Sequence, residues 1–296
     1  MKKGVIVINA YSELEHSLNQ SRRMKEELEK LGVSTTILRN NTFLASVENR
    51  DGDLVNKLED YDFCLYLDKD KYVSDILEKK GMRLFNRHQA IRYCDDKAVT
   101  CIQLAEHGIP MPKTLFGLLC YDPDKDVKSE TLDIIERELG YPMIAKESYG
   151  ALGKNVYKVD NRKELEEKAV ELKSKPHLFQ EYISTSYGRD VRVIVIGGKV
   201  VATMLRKSDK DFRSNIELGG IGFPFEVGDK VKAQCVKIAE ILGLEYCGID
   251  LLFGKEKDEF LVCEVNSNAF FGGMEEATGI NVGKAYAEYI YDKVYN

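Results

Sequence analysis

Two carboxylates and an amide stand inside apolar runs near the end of the sequence. Asp250 interrupts one such run, and Glu264 and Asn266 interrupt the next. Glu264 and Asn266 are two residues apart, so on a strand they face the same side, while Cys263 and Val265 face the other. Oxygen ligands of this kind suit Mg²⁺, which keeps part of its water shell and also takes phosphate oxygens. The alternative is a half-exposed sheet face, which explains three converging polar groups less well.

The turn between these two runs sets how they pair. A five-residue loop at Lys255–Glu259 pairs Gly254 with Phe260, and hence Asp250 with Glu264. Residues directly opposite each other across an antiparallel pair point to the same face. We therefore expect the two carboxylates to share one face of a sheet.

A lysine at the end of an apolar run precedes a loop that contains two glycines. Lys146 ends the run, and Gly150 and Gly153 lie in the loop Ser148–Lys154. A lysine at a strand end can reach a phosphate as a compact charge, and the N–H groups of a glycine loop can approach phosphate oxygens. The loop lacks the GxxxxGKS/T pattern of a P-loop. An ordinary turn beside a surface lysine is the alternative.

Two further segments carry groups that suit a nucleotide. The edge of a predicted strand at 178–183 can hydrogen-bond an adenine while apolar side chains enclose the ring, although an ordinary strand is the simpler interpretation. Arg206 stands at another strand end, and Arg213 follows in the run 211–215. Clustered cations near a triphosphate can hold the γ-phosphate and stabilise charge during its transfer. A solvated charged loop is the alternative there.

The elements that must position these groups alternate between strand and helix in the first third of the chain. This order predicts a small parallel sheet, and the absence of GxGxxG after the first strand argues against a dinucleotide site there. The strands are predicted at 4–9, 33–38, 62–67, 82–85, 115–117, 142–146, 155–159, 178–183, 190–196, 199–205, 246–253 and 259–266. The helices are predicted at 17–31, 72–80, 95–107, 163–173, 229–242 and 282–291.

Three domains are expected from these elements. An α/β domain occupies 1–90, a central subdomain with the glycine loop occupies 91–185, and a subdomain with the metal site occupies 186–296. The first boundary lies just before a helix that a stiff proline-bearing segment closes. The second lies where the pattern becomes rich in strands, two of which are joined by Gly197-Gly198, a strong hairpin signal.

Composition, hydropathy and cysteine spacing argue against several classes of protein. A net charge of −6 and a pI near 5.5 argue against non-specific nucleic-acid binding, which needs a basic face. No apolar run approaches the roughly 18 residues of a membrane span, and the start of the chain does not read as a signal peptide. Seven scattered cysteines without a CxxC pair suggest reduced thiols, so we expect a cytoplasmic protein.

In combination these segments resemble the ATP-grasp superfamily, and within it the RimK-like amino-acid (glutamate) ligases. The resemblance covers roughly residues 85–285, with its motifs in family order, and the run 211–215 and the Glu-Val-Asn run at 264–266 are the most specific. The other matching runs are Asp96-Lys97, the Gly-Ile-Pro-Met-Pro run at 108–112, 144–146, 180–183 and 188–192. The resemblance implies an ATP-grasp fold, of α/β and α+β type, preceded by a small parallel-sheet domain.

The resemblance also implies a role for each matching residue. The expected nucleotide contacts are Lys97, Lys146, Gly150 and Gly153 at the phosphates, Gln180, Glu181, Tyr182 and Ile183 at the adenine, Asp190 at the ribose, and Arg213, Ser214 and Asn215 beside nucleotide and substrate. The expected metal ligands are Asp250, Glu264 and Asn266, for two Mg²⁺ ions or Mn²⁺ in their place. Arg206 and Arg213 are the expected catalytic residues, with Arg206 stabilising an acyl phosphate.

The activity implied is an ATP-dependent ligase that joins a carboxylate to an amine through an acyl phosphate. Glutamate or another α-amino acid would be the amine, and a peptide, protein or cofactor would supply the carboxyl group. A ligase of the D-alanine–D-alanine type and a non-catalytic ATP-binding module are the alternatives, and homo-oligomers are left open. Two segments, 216–218 and 267–273, depart from the family pattern where the amine should sit, so the family does not predict the amine.

Overall fold

The computed structural model describes residues 2–48 and 52–296, which form a mixture of strands and helices. The strands are β1 Lys3–Ile8, β2 Ser34–Arg39, β3 Ala45–Glu48, β4 Asp53–Asn56, β5 Phe63–Leu67, β6 Leu84–Phe85, β7 Thr114–Phe116, β8 Met143–Glu147, β9 Val156–Val159, β10 His177–Glu181, β11 Arg189–Ile196, β12 Lys199–Lys207, β13 Ile221–Pro224, β14 Tyr246–Phe253 and β15 Phe260–Asn266. The helices are α1 Glu15–Lys30, α2 Lys71–Lys79, α3 His88–Asp95, α4 Lys97–Leu104, α5 Ser129–Leu139, α6 Arg162–Leu172, α7 Asp229–Leu242, α8 Gly272–Thr278 and α9 Val282–Tyr295.

The N-terminal sheet is parallel, as predicted, with the strand order β2-β1-β5-β6. Its central strands β1 and β5 contain continuous apolar runs because α1 and α2 cover opposite faces. The chain leaves β1 toward β2 on one side and then crosses to β5 on the other. The sheet therefore has a switch point between β1 and β5, where the carboxyl ends of neighbouring strands diverge and leave a crevice.

The central sheet is antiparallel, in the order β7-β10-β8-β9. Helices α5 and α6 pack on one of its faces through a core of their own, which includes Leu132, Leu165 and Phe179. The other face carries Lys146 and Gln180 and turns toward the third sheet. This division of faces places the glycine loop, which connects β8 to β9, above the cleft between the two sheets.

The C-terminal sheet runs in the order β13-β12-β11-β14-β15. One face packs on α7 through alternating residues such as Val193 and Ile249. The opposite face is divided, because α8 and α9 cover an apolar part that includes Ile194, whereas Asp190 and Asp250 line the cleft. The same strands thus supply both a core and a polar floor for the site.

The N-terminal and C-terminal sheets share one hydrophobic core. Ile6 and Leu65 of the first sheet, Ile196 of the last, and Tyr286 of α9 belong to a single buried cluster. Asn86, which is 2% exposed, reinforces the junction. Its amide donates to the carbonyls of residues 246 and 267 at 2.8 and 2.7 Å and accepts from the N–H groups of 245 and 246 at 2.8 and 3.1 Å.

The predicted helix at 95–107 is wrong in its start and its end. The chain breaks at Asp96, whose backbone is extended and whose carboxylate accepts from the N–H groups of Ala98 and Val99 at 2.9 and 3.2 Å. Asp96 therefore caps α4, and a separate helix, α3, precedes it. Helix α4 then ends at Leu104, earlier than predicted.

Several short elements were not predicted, namely the hairpin β3–β4, strand β13, and helices α5 and α8. In the described ranges, no helix is long and apolar enough to cross a membrane. All seven cysteines are free thiols, as their irregular spacing predicted.

Candidate active site

A cleft between the central and C-terminal sheets collects most of the residues predicted to bind a nucleotide and a metal. Those that line it are Lys97, Lys146, Gly153, Gln180, Glu181, Tyr182, Ile183, Asp190, Arg206, Arg213, Ser214, Asn215, Asp250 and Glu264. Two others lie close by. Gly150 accepts a hydrogen bond from Lys97 through its carbonyl at 2.8 Å, and Asn266 lines an adjacent cavity.

Apolar side chains form one end of the cleft. Ile144 and Val156 project from the central sheet, and Leu252 and Cys263 project from the C-terminal sheet. Burial raises the pKa of the Cys263 thiol to about 11, so this side chain is a neutral part of the wall at pH 7. A flat heterocycle fits between two apolar layers of this kind, beside the end of β10.

Two lysines mark the other end of the cleft. Lys146 is 4% exposed and donates to Gln180 Oε1 at 2.9 Å, and Lys97 is 8% exposed with its Nζ 3.6 Å from Glu264 Oε1. Buried ammonium groups that are only partly satisfied by the protein are ready to accept an anionic ligand. This end of the cleft therefore suits phosphate groups.

The glycine loop is tied to the segment that carries Arg213. The guanidinium group of Arg213 donates to the carbonyl of Gly153 at 2.6 Å. A side chain at position 153 would come within 2.9 Å of Asn215 Oδ1, and the φ of +68° there is one that glycine adopts at little cost. Gly153 is thus needed for the loop to approach the 213–215 segment.

Two arginines and two aspartates form a buried charge network on the floor of the cleft. Arg206, 1% exposed, binds Asp190 through both nitrogens of one edge and reaches Asp250 Oδ2 at 2.9 Å. Arg192 binds both oxygens of Asp250 at 2.7 Å. The pattern is a chain of charge-assisted contacts in which each carboxylate has a guanidinium partner.

The network fixes the charge state of its members. Burial by itself raises the pKa of Asp250, but the attraction of Arg192 and Arg206 outweighs burial and holds that pKa below its usual range. Burial likewise lowers the pKa of Arg206, and the two carboxylates reverse that effect and raise it. Asp250 is therefore an anion at neutral pH although it is enclosed.

Strands β14 and β15 place Asp250 directly opposite Glu264, as predicted. The route to this register differs from the prediction, because Phe260 pairs with Phe253 and not with Gly254. A β-bulge next to Asp250 then absorbs the one-residue difference. An extra residue in one strand restores the pairing and reverses which side chains face the core.

Because of the bulge, the predicted direction of the Cys263 side chain is wrong. Val265 faces the core, as predicted, but Cys263 lines the cleft together with Glu264. Arg192 is a further site residue for which no role was predicted. The sequence does indicate this position, because Arg192 is two residues from Asp190 on one strand and must therefore share its face.

A second cavity, of about 210 Å³, opens beside the first. It lies between the carboxyl ends of β1 and β5, the glycine loop and the segment after β15. Asn215 and Glu264 line both spaces, so the two cavities adjoin at the predicted metal ligand Glu264. Glu217 and Asn268 line the second cavity as well, and they come from the two segments that depart from the family pattern.

The three sheets and the cleft between two of them define an α/β and α+β architecture, and comparison with known proteins gives the family. A model of the RimK-like ATP-grasp domain matches residues 94–290. The chain therefore belongs to the RimK-like ATP-grasp family, which confirms the resemblance and the fold predicted from sequence.

Three proteins illustrate the relationship. The chain is 38% identical over 224 residues to N-acetylaspartylglutamate synthase A of Homo sapiens, covering 75% of this chain and 56% of that protein. The chain thus spans about half the length of that relative. A D-alanine–D-alanine ligase from Bacillus anthracis complexed with ATP has a TM-score of 0.73 at 20% identity, covering 98% and 96% of the two chains. The ATP-grasp ligase PsnB complexed with minimal precursor, Mg and ADP has a TM-score of 0.70 at 20% identity, covering 98% and 97%.

Proposed function

We propose that this protein is an ATP-dependent carboxylate–amine ligase that forms an amide through an acyl phosphate. The observation that carries the proposal is the junction of two cavities at Glu264 and Asn215. One cavity has an apolar end and a lysine-rich end, as a nucleotide requires. The other is lined by polar and apolar side chains and is large enough for a substrate of amino-acid size. Their meeting point is where a phosphoryl group would pass from one to the other.

ATP would lie along the first cleft. Its adenine would occupy the apolar end beside 180–183, its ribose would approach Asp190, and its phosphates would meet Lys97, Lys146 and the glycine loop with Arg213. These contacts are predominantly electrostatic, and catalysis of phosphoryl transfer depends mainly on such positioning and charge neutralisation.

Glu264, Asn266 and Asp250 have the ligand chemistry for a magnesium ion, but no three His, Cys, Asp or Glu side chains of the described residues are grouped as a complete metal site. Glu264 and Asn266 offer side-chain oxygens to which no hydrogen bond is donated within the described chain. Asp250 already accepts three bonds from Arg192 and Arg206, which leaves about one of its roughly four acceptor positions. A site with few protein oxygens suits an ion that retains water and binds phosphate oxygens. Magnesium bound there would neutralise charge on the transferred phosphate.

The reaction would proceed in two displacements. A carboxylate oxygen of the first substrate attacks the γ-phosphorus, the bond to the β-phosphate oxygen breaks, and ADP leaves. A neutral amine then attacks the acyl carbon, inorganic phosphate departs, and the amine loses a proton to give the amide. The protein forms no covalent bond in this sequence and acts by holding the reactants in contact.

Arg206 has a role that its burial restricts. Three of its five N–H donors bind Asp190 and Asp250, so the Nη1 group is the part that can meet an acyl phosphate. We propose that Arg206 both orients these two aspartates and stabilises the intermediate, while Arg213 neutralises the phosphates from the opposite side of the cleft.

We propose glutamate or another α-amino acid as the amine. We propose a carboxyl group of a peptide, a protein or a small molecule as the group that ATP activates. We place the protein in the cytoplasm because its seven cysteines are free. An ADP-release screen of the common amino acids against candidate carboxylates, with mass spectrometry of the products, tests the activity directly. Absence of coupled ADP release from a protein that binds ATP would favour a binding module.

Glu264→Gln tests the mechanism once a substrate pair is known. The change removes a charge beside Lys97 and leaves the other nucleotide contacts in place. We expect near-normal ADP affinity and melting temperature, with turnover reduced at least ~100-fold, as when one preorganised electrostatic contact is lost. Glu240→Gln, on the exposed side of α7, is the control and should leave all three quantities unchanged. A folded Glu264→Gln protein with wild-type turnover would exclude Glu264 from the reaction centre.

A further inference from the structure

The second cavity lies at the switch point of the N-terminal sheet, and we call it the switch-point cavity. Asn9 follows β1 and Asp68 follows β5, and both line this space. Ligands of open α/β sheets bind at this location, because the carboxyl ends of neighbouring strands separate there. The question is which chemical group these particular side chains would recognise.

Asp68 is a buried carboxylate that has neutral partners. It is 7% exposed and accepts from Asn9 Nδ2 at 3.1 Å, from Asn40 Nδ2 at 2.7 Å and from the N–H of Lys69 at 2.7 Å. No ion pair to Asp68 is found within residues 2–48 and 52–296. Burial raises its pKa, in keeping with a charge that lacks a cation. Such a group gains most from a positively charged ligand.

The opposite walls of the cavity also carry hydrogen-bond acceptors that lack a partner. The Oδ1 atom of Asn268 is buried and has no hydrogen-bond partner, and Glu217 is a half-buried carboxylate without an ion pair in the described chain. In the described part of the chain, two cations line the cavity, and each already has a carboxylate partner. Arg192 binds Asp250, and Lys69 lies 3.1 Å from Asp95. The unsatisfied groups are therefore acceptors.

We propose that the switch-point cavity binds a substrate with a protonated amino group, and that Asp68 holds this ammonium group. This inference rests on the proposed function and names the substrate class of the same site. The ligand would be an α-amino acid, with its ammonium group at Asp68 and its carboxyl group toward Glu264 and the nucleotide cleft. Asn268 would accept a second hydrogen bond from the ligand.

The chemistry decides which of the two substrates this is. An amine must be neutral to attack an acyl phosphate, and a buried carboxylate favours the protonated form of the amine it contacts. The amino group at Asp68 is therefore the one that does not react. It belongs to the substrate whose carboxyl group is activated, so the acyl donor of this enzyme is itself an amino acid.

The test compares ligands that differ only in the amino group. Calorimetric titrations of the full chain, with Mg²⁺ and a non-hydrolysable ATP analogue present, would use the twenty common amino acids together with succinate, glutarate and propionate. These acids match aspartate, glutamate and alanine without the amine. We expect at least one of these three amino acids to bind at least about tenfold more tightly than its amine-free partner, as for one lost hydrogen bond to a charged group. Equal affinities within all three pairs, or no binding by any amino acid, would overturn the inference.

Variants separate recognition from a merely structural role. Asp68→Asn should reduce the affinity for the amino acid to that of its amine-free partner and leave the affinity for the latter unchanged. Asp60→Asn removes the same charge from an exposed turn before β5 and should change neither. An Asp68→Asn protein that still prefers the amino acid to its amine-free partner would contradict the assignment of Asp68 to the ammonium group. A protein with lower kcat but unchanged binding would contradict it as well. If Asp68→Asn does not fold, the affinities of the wild-type protein for each amino acid and its amine-free partner still test the inference. Glu217→Gln is then the second variant.

The same experiments keep the two proposals apart. An amino-acid preference that depends on Asp68, in a protein that never couples ADP release to any amine and carboxylate, would refute the ligase and retain the ammonium site. Coupled ADP release in which Asp68→Asn behaves as wild type would retain the ligase and refute the ammonium site.

Discussion

At the scale of single residues, the site depends on how four buried charges share their hydrogen bonds. Asp250 accepts from both Arg192 and Arg206, and Arg206 in turn binds Asp190. Buried ion pairs contribute little when complete, because desolvation offsets their attraction, but removing one member leaves an uncompensated charge. The network therefore keeps Asp250 ionised in the cleft, and it is not a large source of stability.

Asp250→Asn should lower the free energy of unfolding by about 3–5 kcal/mol at pH 7, because Arg192 and Arg206 lose their shared anion. The folded pKa of Asp250 is below its unfolded value, so its ionised form stabilises the protein above the unfolded pKa. That contribution is lost as the pH falls through the folded pKa. The difference between variant and wild type in urea unfolding should be constant from pH 7 to 5 and narrow only below about pH 4.

Asp160→Asn is the matched control for this measurement. Asp160 pairs with Lys158 on an exposed surface, where an ion pair contributes only about 0–1 kcal/mol. An Asp250→Asn protein as stable as the control at pH 7 would mean that the two arginines find other partners.

At the scale of elements, the β14–β15 hairpin decides which side chains reach the site. Its core residues Val262 and Val265 are an odd number of positions apart, which a regular strand cannot place on one face. The bulge at Cys263 resolves this conflict and turns Glu264 toward the cleft. The spacing of the apolar residues therefore indicates a bulge in this strand. The length of the turn does not indicate its position.

Gly248, on the neighbouring strand β14, holds the segment after β15 in place. A Cβ atom there would lie 2.5 Å from that of Ala269, which is 3% exposed and whose carbonyl accepts from Tyr246 at 2.6 Å. Gly248→Ala should cost about 1–3 kcal/mol, because the well-packed neighbour must shift. Thermal unfolding measures this. Gly272→Ala, where nothing lies within 4 Å, is the control and should change stability little.

Buried strands with a clear apolar pattern were predictable from the sequence, and elements without such a pattern were not. Strand β5 is an uninterrupted apolar run, and β11 ends in one at 193–196, so the apolar pattern identifies both. Strand β13 is four residues long and contains a glycine and a proline, and α8 begins with two glycines, so local preferences argue against both. Of the candidate site, the residue types were predictable, whereas the pairing of Asp250 with two arginines depends on tertiary contacts.

At the scale of the whole molecule, the first and last parts of the chain form one body. Their common core contains residues from β1, β5, β11 and α9, while the core of the central sheet is confined to residues 115–179. A ligand in the cleft therefore touches two bodies, one of them assembled from both ends of the chain. Asn86 lies at the centre of the larger body.

Asn86→Ala should destabilise that body by more than about 3 kcal/mol, because each buried group left without a partner costs about 1–3 kcal/mol. The variant should lose the N-terminal and C-terminal sheets together, in one transition, since they share a core. Hydrogen exchange followed by mass spectrometry resolves the sheets separately. Asn41→Ala, on an exposed loop, is the control and should change stability by less than about 0.5 kcal/mol. Loss of the N-terminal sheet alone would show that the two sheets fold independently.

The shared core also has a consequence for biosynthesis. The face of the N-terminal sheet that α1 covers stays incomplete until α9, roughly 200 residues later, has left the ribosome. At about 5–20 residues per second, the nascent chain would expose this apolar surface for roughly 10–40 s, while the central sheet could already be complete. During translation, the part of the protein that is made first is thus among the last to reach its final packing, and it is the part that a chaperone would need to protect.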